Sequence, residues 1–258
     1  MFASSYFDHV DKVLKCHSIE CVWDLHAQIM KEYGFDRLLY ISTQFRTHGL
    51  LGDLDDALVL TNRAKGFVDQ FIDDEMYKHG PKGIWAKESA GVRSWNKFKE
   101  RYNAGNVTEG EKKAYELNAK WGLKAGYVIS FEETGLRNKS VIGLCAREGL
   151  TQDDVDEIWR SKGTEIIMLN NLMHLKVSSL PHTGQRRPLT SRQLEALEWI
   201  ADGKIMKDVA AIMDISPNTV EKHLRSTREA LCVETTAQAV QKAERLNLLF
   251  QNHLDDSP

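Results

Sequence analysis

The chain has little with which to build a disulfide framework, a membrane span or a catalytic centre. Its four cysteines, at positions 16, 21, 145 and 232, are too few and too scattered along 258 residues for a stapled scaffold. Reduced thiols are expected. No apolar run approaches the roughly 20 residues that a bilayer crossing needs. The opening stretch MFASSYFDHVDKVLK lacks the basic start and apolar core of a secretory leader. A cytoplasmic protein with no membrane partner is therefore expected. Also missing are a G-x-S-x-G elbow, a phosphate loop, a dinucleotide fingerprint and any Ser/His or Cys/His arrangement suited to nucleophilic chemistry. No enzyme and no cofactor are expected. A formal net charge of −3 and a pI near 6.3 exclude a wholly basic nucleic-acid coat, but they leave room for a local basic surface.

What is present fits a globular chain of one large or two ordinary domains: 42% hydrophobic residues, 28% charged residues and a mean hydropathy of −0.42. SIECVWDLHAQIMKEYG places Ile19, Val22, Trp23, His26, Ile29, Met30 and Tyr33 on one helical stripe, with Ser18 to cap its start and Gly34 its end. RLLYIST reads as a short strand, and residues 57–79 read as helical. KKAYELNAKWG is a further helix ending at Gly122, and AGYVISFE and KSVIGLCA are two strands joined by ETGLRN. A long helix runs from Thr151 to about Val177 on Val155, Ile158, Trp159, Ile166, Leu169, Leu172 and Met173. The mixture predicts a sheet flanked by helices. CHSIECVWDLH invites a metal reading, but on a helix Cys21 and His26 lie about 140° apart and do not converge.

SSLPHTGQRRP, residues 178–188, interrupts these patterns with Pro181, Gly184 and Pro188 and reads as a linker, with the boundary near residue 185. Beyond it the chain reads as short helices only. In LTSRQLEALEWIADGK, Thr190 followed by Gln193 forms a capping box, Leu194, Leu197 and Ile200 or Ala201 form a buried stripe, and Gly203 stops the helix. MKDVAAIMD follows as a shorter helix. In SPNTVEKHLRSTREAL, Ser216 caps and Pro217 occupies the first helical position, where a missing N–H is harmless. On a wheel of about 100° per residue, Val220, Leu224, Thr227 and Leu231 share one face, and Asn218, Glu221, Lys222, Arg225 and Glu229 the other. A short helix, a tight turn and a helix exposing amides and cations is a helix-turn-helix, a unit that docks in the major groove of double-stranded DNA. A merely solvated face on a helical bundle is the alternative reading of those charges.

The C-terminal stretch resembles the DNA-binding domain of LuxR-type transcription regulators. It carries Leu189, Thr190, Arg192, Leu197, Ala201 and Gly203, then Val209, Ala210, Ser216, Thr219, Val220 and His223, with Gln193 where the family usually has glutamate. The resemblance implies a four-helix domain whose third helix enters the major groove and whose fourth, around TTAQAVQKAERLNLL, helps pair two copies. Carried over by position, Glu221 and Arg225 face bases, and Asn218, Thr219 and Lys222 face phosphates. The first domain resembles the sensor of quorum-sensing receptors of the same family. The spacing W-x(3)-Y-x(8)-D-P-x(13)-W falls on Phe67, Phe71, Gly80-Pro81 and Trp95, followed by GLKAG at 122–126. In the family those positions supply two hydrogen-bond donors and a carboxylate acceptor to an acyl-homoserine lactone. Here the tips are missing, so the pocket residues Phe67, Phe71, Gly80, Trp85 and Trp95 imply a lactone held differently or a less polar analogue. Tyr102 is a further aromatic candidate. Simple core packing is the alternative for the aromatics, and a closed, ligand-independent interaction module is the alternative for the domain. The expected fold is α+β: an α/β/α sandwich sensor and dimerisation domain over 1–177, a linker over 178–188, and an all-α helix-turn-helix domain over 189–258. The expected molecule is a homodimeric regulator.

Overall fold

A computed structural model describes residues 2–46, 54–133, 135–184 and 186–251. Thr134 and Gln185, in the expected turn and at the expected boundary, lie outside the described residues. The chain divides into two compact units: Met1–Asp53 with Ala57–Ser178, and Leu54–Asp56 with Ser179–Pro258.

In the first unit, α1 (Phe2–Lys15) and α2 (Ile19–Glu32) lead into β1 (Phe35–Thr43), then β2 (Leu58–Thr61). Three short helices follow, α3 (Lys65–Asp73), α4 (Met76–His79) and α5 (Pro81–Glu88), then β3 (Gly91–Ser94), α6 (Asn96–Asn103) and α7 (Glu109–Lys120). The unit closes with β4 (Gly126–Ser130), β5 (Lys139–Ala146) and α8 (Gln152–Ser178). The five strands form one antiparallel sheet in the order β2-β1-β5-β4-β3. Alternation along the strands assigns the two faces. From β1, Tyr40 turns to α8, where its hydroxyl meets His174 Nδ1 at 2.9 Å. Its neighbours Leu39 and Ile41 belong to the other face, beside Val141 and Gly143 of β5, which are their register partners. The helical stripe of α2 is buried as its spacing requires, and Ser18 caps it by accepting from the Cys21 amide at 3.1 Å.

Two local expectations need correction. Residues 57–79 are not one helix: Leu58–Thr61 adds the edge strand β2 to β1, and the helix begins only at Lys65. It then breaks at Asp74, because Glu75 takes a left-handed conformation (φ 51°) before α4 restarts the chain. Cys16 and Cys21 are not reduced thiols but form a disulfide. The turn between α1 and α2 brings their Cα atoms to 5.7 Å, within bonding range. Cys145 is free and buried, and Cys232 is free and exposed.

His26 is fully enclosed between α2 and α8, with its Nε2 3.1 Å from Asn170 Oδ1 and its Nδ1 without a partner among the described residues. Burial pushes its pKa down to about 3. The unfolded imidazole binds its proton near pH 6.5, so between these values the unfolded chain holds more protons and stability is lost as pH falls. Lowering the pH from 7 to 5 is expected to cost on the order of 2 kcal/mol through this group. Denaturant unfolding followed by tryptophan fluorescence at both pH values checks it: His26→Gln, which does not titrate, should reduce the pH dependence and leave the part due to His174, which burial lowers to about 4, whereas parallel losses in both proteins would contradict it.

The second unit carries α9 (Ser191–Ala201), α10 (Met206–Ile212), α11 (Pro217–Leu231) and α12 (Thr236–Arg245). Capping boxes form at Thr190/Gln193 and at Thr235/Gln238, and Ser216 Oγ accepts from the Thr219 amide at 3.1 Å. Val220, Leu224, Thr227 and Leu231 of α11 are all buried, so the polar face is outermost, as the wheel predicts. The 3-10 turn Leu54–Asp56 belongs to this unit. Asp56 accepts from Lys242 Nζ at 2.8 Å and from Arg186.

Candidate functional site

Two places concentrate unusual chemistry, one in each unit. In the first, the face of the sheet opposite α8 is covered by the short helices α3 to α7, and a partly open cavity of about 100 Å³ lies beneath them. Its floor is Leu39, Ile41, Val128, Val141 and Gly143 from the sheet. Its walls include Phe71, Met76, Tyr77, Gly80, Trp95, Ala114 and Leu117. Short helices joined at Glu75 and Gly80 leave such a gap because none is long enough to lay a continuous apolar stripe on the sheet.

Of the residues expected at a pocket, Phe71, Gly80 and Trp95 line this cavity. Phe67 and Trp85 do not. Phe67 is only 2% exposed and stacks on Phe71 with ring centroids 5.7 Å apart, forming part of the core cluster behind the wall. Trp85 packs against the same cluster, with the Arg93 guanidinium 4.7 Å from its ring. Tyr102 stacks on Tyr115 at 3.9 Å and is not a lining residue. Core packing and a cavity therefore coexist: the aromatics form a shell, and the space lies within it.

The cavity also holds groups that the sequence reading missed. Arg63, Lys82, Lys87 and Lys139 line it, and among the described residues no aspartate or glutamate does. Arg63 follows β2, and its guanidinium lies 5.2 Å from the Phe67 ring centroid. It reaches this position over Gly143, where a Cβ would stand 3.2 Å from Nη2. The glycine inside a strand was the available signal, since it marks close approach of another group. Lys82 sits with its ammonium 3.0 Å from the centre of the Trp95 ring. Burial first, then the neighbouring Arg63 charge, lowers the pKa of Lys82 well below its ordinary value. Burial also pushes Arg63 down to about 10.

Gly80 joins α4 to α5: its N–H donates to Met76 O at 2.7 Å, and Pro81 begins the next helix. A Cβ here would stand 2.9 Å from that same carbonyl oxygen. The missing side chain is thus built into the backbone path.

In the second unit, α10, a turn through Asp214 (φ 53°) and α11 form the helix-turn-helix. Asn218, Lys222 and Arg225 are exposed on α11. Arg225 has only a loose approach to Glu229, 3.9 Å, with both side chains largely in solvent. Thr219 is half-buried, and its hydroxyl lies 2.9 Å from Ser216 Oγ. Glu221 is half-buried and accepts from Arg228 Nη2 at 2.9 Å, and Arg228 Nη1 donates to Thr236 Oγ1 at 3.0 Å. Arg228, absent from the sequence reading, thereby ties α11 to α12 and holds the carboxylate that was expected to face a base.

A cavity-bearing α/β/α unit and a helix-turn-helix unit in one chain define a two-part sensor and DNA-binding architecture. Residues 18–177 match the autoinducer-binding domain, and residues 187–243 match the luxR family of bacterial regulatory proteins. The chain belongs to the autoinducer-binding domain family and carries a luxR-family match at its C-terminal end. It is 26% identical over 167 residues to the HTH-type transcriptional regulator y4qH of Sinorhizobium fredii, covering 64% of this chain and 48% of that one. It is also 26% identical over 147 residues to the transcriptional activator AnoR of Acinetobacter nosocomialis, covering 55% and 60%. The chain thus spans about half the length of these curated relatives. The crystal structure of the N-acylhomoserine lactone-dependent factor CepR2 of Burkholderia cenocepacia shares the fold, with a TM-score of 0.51 and 14% identity over 68% of this chain and 97% of that one.

Because the backbone at Gly80 leaves no room for a Cβ, Gly80→Asp is expected to destabilise the first unit by about 1–3 kcal/mol rather than rebuild an acceptor. A melting temperature equal to that of the parent protein would contradict this.

Proposed function

We propose that the chain is a transcription regulator that binds double-stranded DNA through α11 and senses a small molecule, other than a standard acyl-homoserine lactone, in the cavity of its first unit. The observation that carries the DNA reading is the outward face of α11, with Asn218, Lys222 and Arg225 exposed and their apolar counterparts buried. Lys222 makes no ion pair among the described residues and is suited to a phosphate, with Asn218 and Thr219 beside it at the helix start. Arg225, one turn further, is suited to guanine in the major groove. Glu221, held by Arg228, keeps its charge off the phosphates and presents an acceptor of fixed position.

Two copies are required for half-sites at fixed spacing. Exposed Phe7 and Leu14 of α1, with Met168 and Leu175 of α8, offer an apolar surface for pairing. We read residues 1–177 as the sensing and dimerising part, 178–188 as the linker and 189–258 as the DNA-binding part, acting in the cytoplasm. The cavity favours a ligand-controlled protein over a closed interaction module, since a closed module has no need of an empty space between sheet and helices.

Selection of binding sites from random duplexes, followed by affinity measurements across a salt series, tests the DNA reading. Arg225→Ala should weaken the selected site by about 1–3 kcal/mol and relax preference at one base pair. Lys222→Ala should weaken all duplexes alike and lower the salt slope by about 1. Unchanged affinity and sequence preference in both variants would remove α11 as the reading helix.

A further inference from the structure

Of the four cations lining the cavity, Lys139 donates to Ser89 O at 3.1 Å, whereas Arg63 and Lys82 have no carboxylate partner among the described residues. Arg63 and Lys82 line the same small space, and neither makes an ion pair or a hydrogen bond to a described carboxylate. Among the described residues, Arg63 Nε is buried without a hydrogen-bond partner, and so is the indole Nε1 of Trp95. Lys82, half-buried, rests on the Trp95 ring, which partly compensates its charge. All three groups donate, and none accepts. Buried donors without acceptors are costly, and a buried charge without a counter-charge is costlier still. The arrangement is not a by-product of a basic protein, because the chain carries more acids than bases, 37 against 34. Nor is the guanidinium placed by chance: a glycine in the middle of β5 clears the space for it.

From this geometry we infer that the cavity takes an organic anion: a small carboxylate whose charged end meets Arg63 and Lys82 and whose apolar body lies against Leu39, Ile41 and Trp95. The guanidinium and the ammonium supply charge-assisted hydrogen bonds to two oxygens, and the Trp95 indole N–H adds a neutral donor. The aliphatic floor disfavours a bare inorganic ion, which would leave that surface uncovered. A space of about 100 Å³, roughly three waters in volume, holds the charged end and first carbons of a small acid, and because the cavity is partly open the rest of a six-carbon acid or a single ring extends toward its mouth. This inference rests on reading the first unit as a small-molecule sensor and names the class of molecule. It replaces the less polar analogue suggested by Phe67 and Phe71 alone.

The test is a set of thermal-shift titrations on the full chain at matched ionic strength. The probes are hexanoate and phenylacetate, their neutral amides hexanamide and phenylacetamide, sodium sulfate, and hexanoyl-homoserine lactone. The carboxylates are expected to raise the melting temperature, since a ligand that binds only the native state stabilises it. The amides and sulfate are expected to have no effect. Lys82→Met and Arg63→Met should each weaken the carboxylate response about tenfold or more, and Lys82→Arg should retain it. Neither methionine variant is expected to melt lower than the parent without ligand, because each removes a half-buried cation that has no carboxylate partner among the described residues. If one fails to fold, the comparison of carboxylate with amide on the parent chain decides the matter alone. Amides as effective as acids, or sulfate as effective as hexanoate, would overturn the proposal. A shift from the lactone alone would overturn the anion class while leaving the sensor reading intact. Silence from every probe would remove both.

Discussion

The antiparallel pairing of β1 with β5 is the constraint from which the rest of the first unit follows. It runs from Phe35 opposite Ala146 to Thr43 opposite Lys139 and forms the centre of the sheet. Because side chains alternate, this single register sends Tyr40 to His174 on one face and Leu39 and Ile41 to the cavity on the other. It also places Gly143 opposite Leu39, the position where a Cβ would stand 3.2 Å from Arg63 Nη2 and crowd the guanidinium. A slip of one residue would exchange the two faces, so the register that builds the core also builds the site.

The two faces of this sheet differ in kind. Against one lie α2 and α8, each 14 residues or longer, and their contact is dry enough to enclose a neutral histidine. Against the other lie segments of 4 to 12 residues, interrupted at Glu75 and Gly80, which roof a space rather than fill one. A sheet with one rigid face and one broken face suits a sensor, since ligand binding on the broken side need not disturb the packing on the other. In the second unit the same division appears on a smaller scale: α11 buries Val220, Leu224, Thr227 and Leu231 and keeps its polar face outermost.

How much of this was legible in the sequence depended on how local the determinants are. The helix-turn-helix was readable almost residue by residue, because caps and buried stripes are set by neighbours three or four positions apart, as at Thr190 and Gln193. Strand β2 was missed because all four of its residues are half-buried, so no alternation marks an edge strand. The disulfide was missed because its formation depends on the turn between α1 and α2 rather than on cysteine count. Arg63 and Lys82 were invisible as a pair because they are far apart in the chain, and only the sheet and its roof bring them to one space. The tips missing from Phe67 and Phe71 suggested a less polar site. The folded chain keeps those rings apolar and introduces charge from two other positions.

Whether this space takes a carboxylate is tested by a crystal structure of the full chain grown with 4-bromobenzoate, whose bromine can be located by anomalous scattering. The expected result is the carboxylate within hydrogen-bond distance of both Arg63 and Lys82, with the ring against Trp95. A cavity filled by protein side chains, or the probe bound with its carboxylate turned away from both cations, would contradict the account.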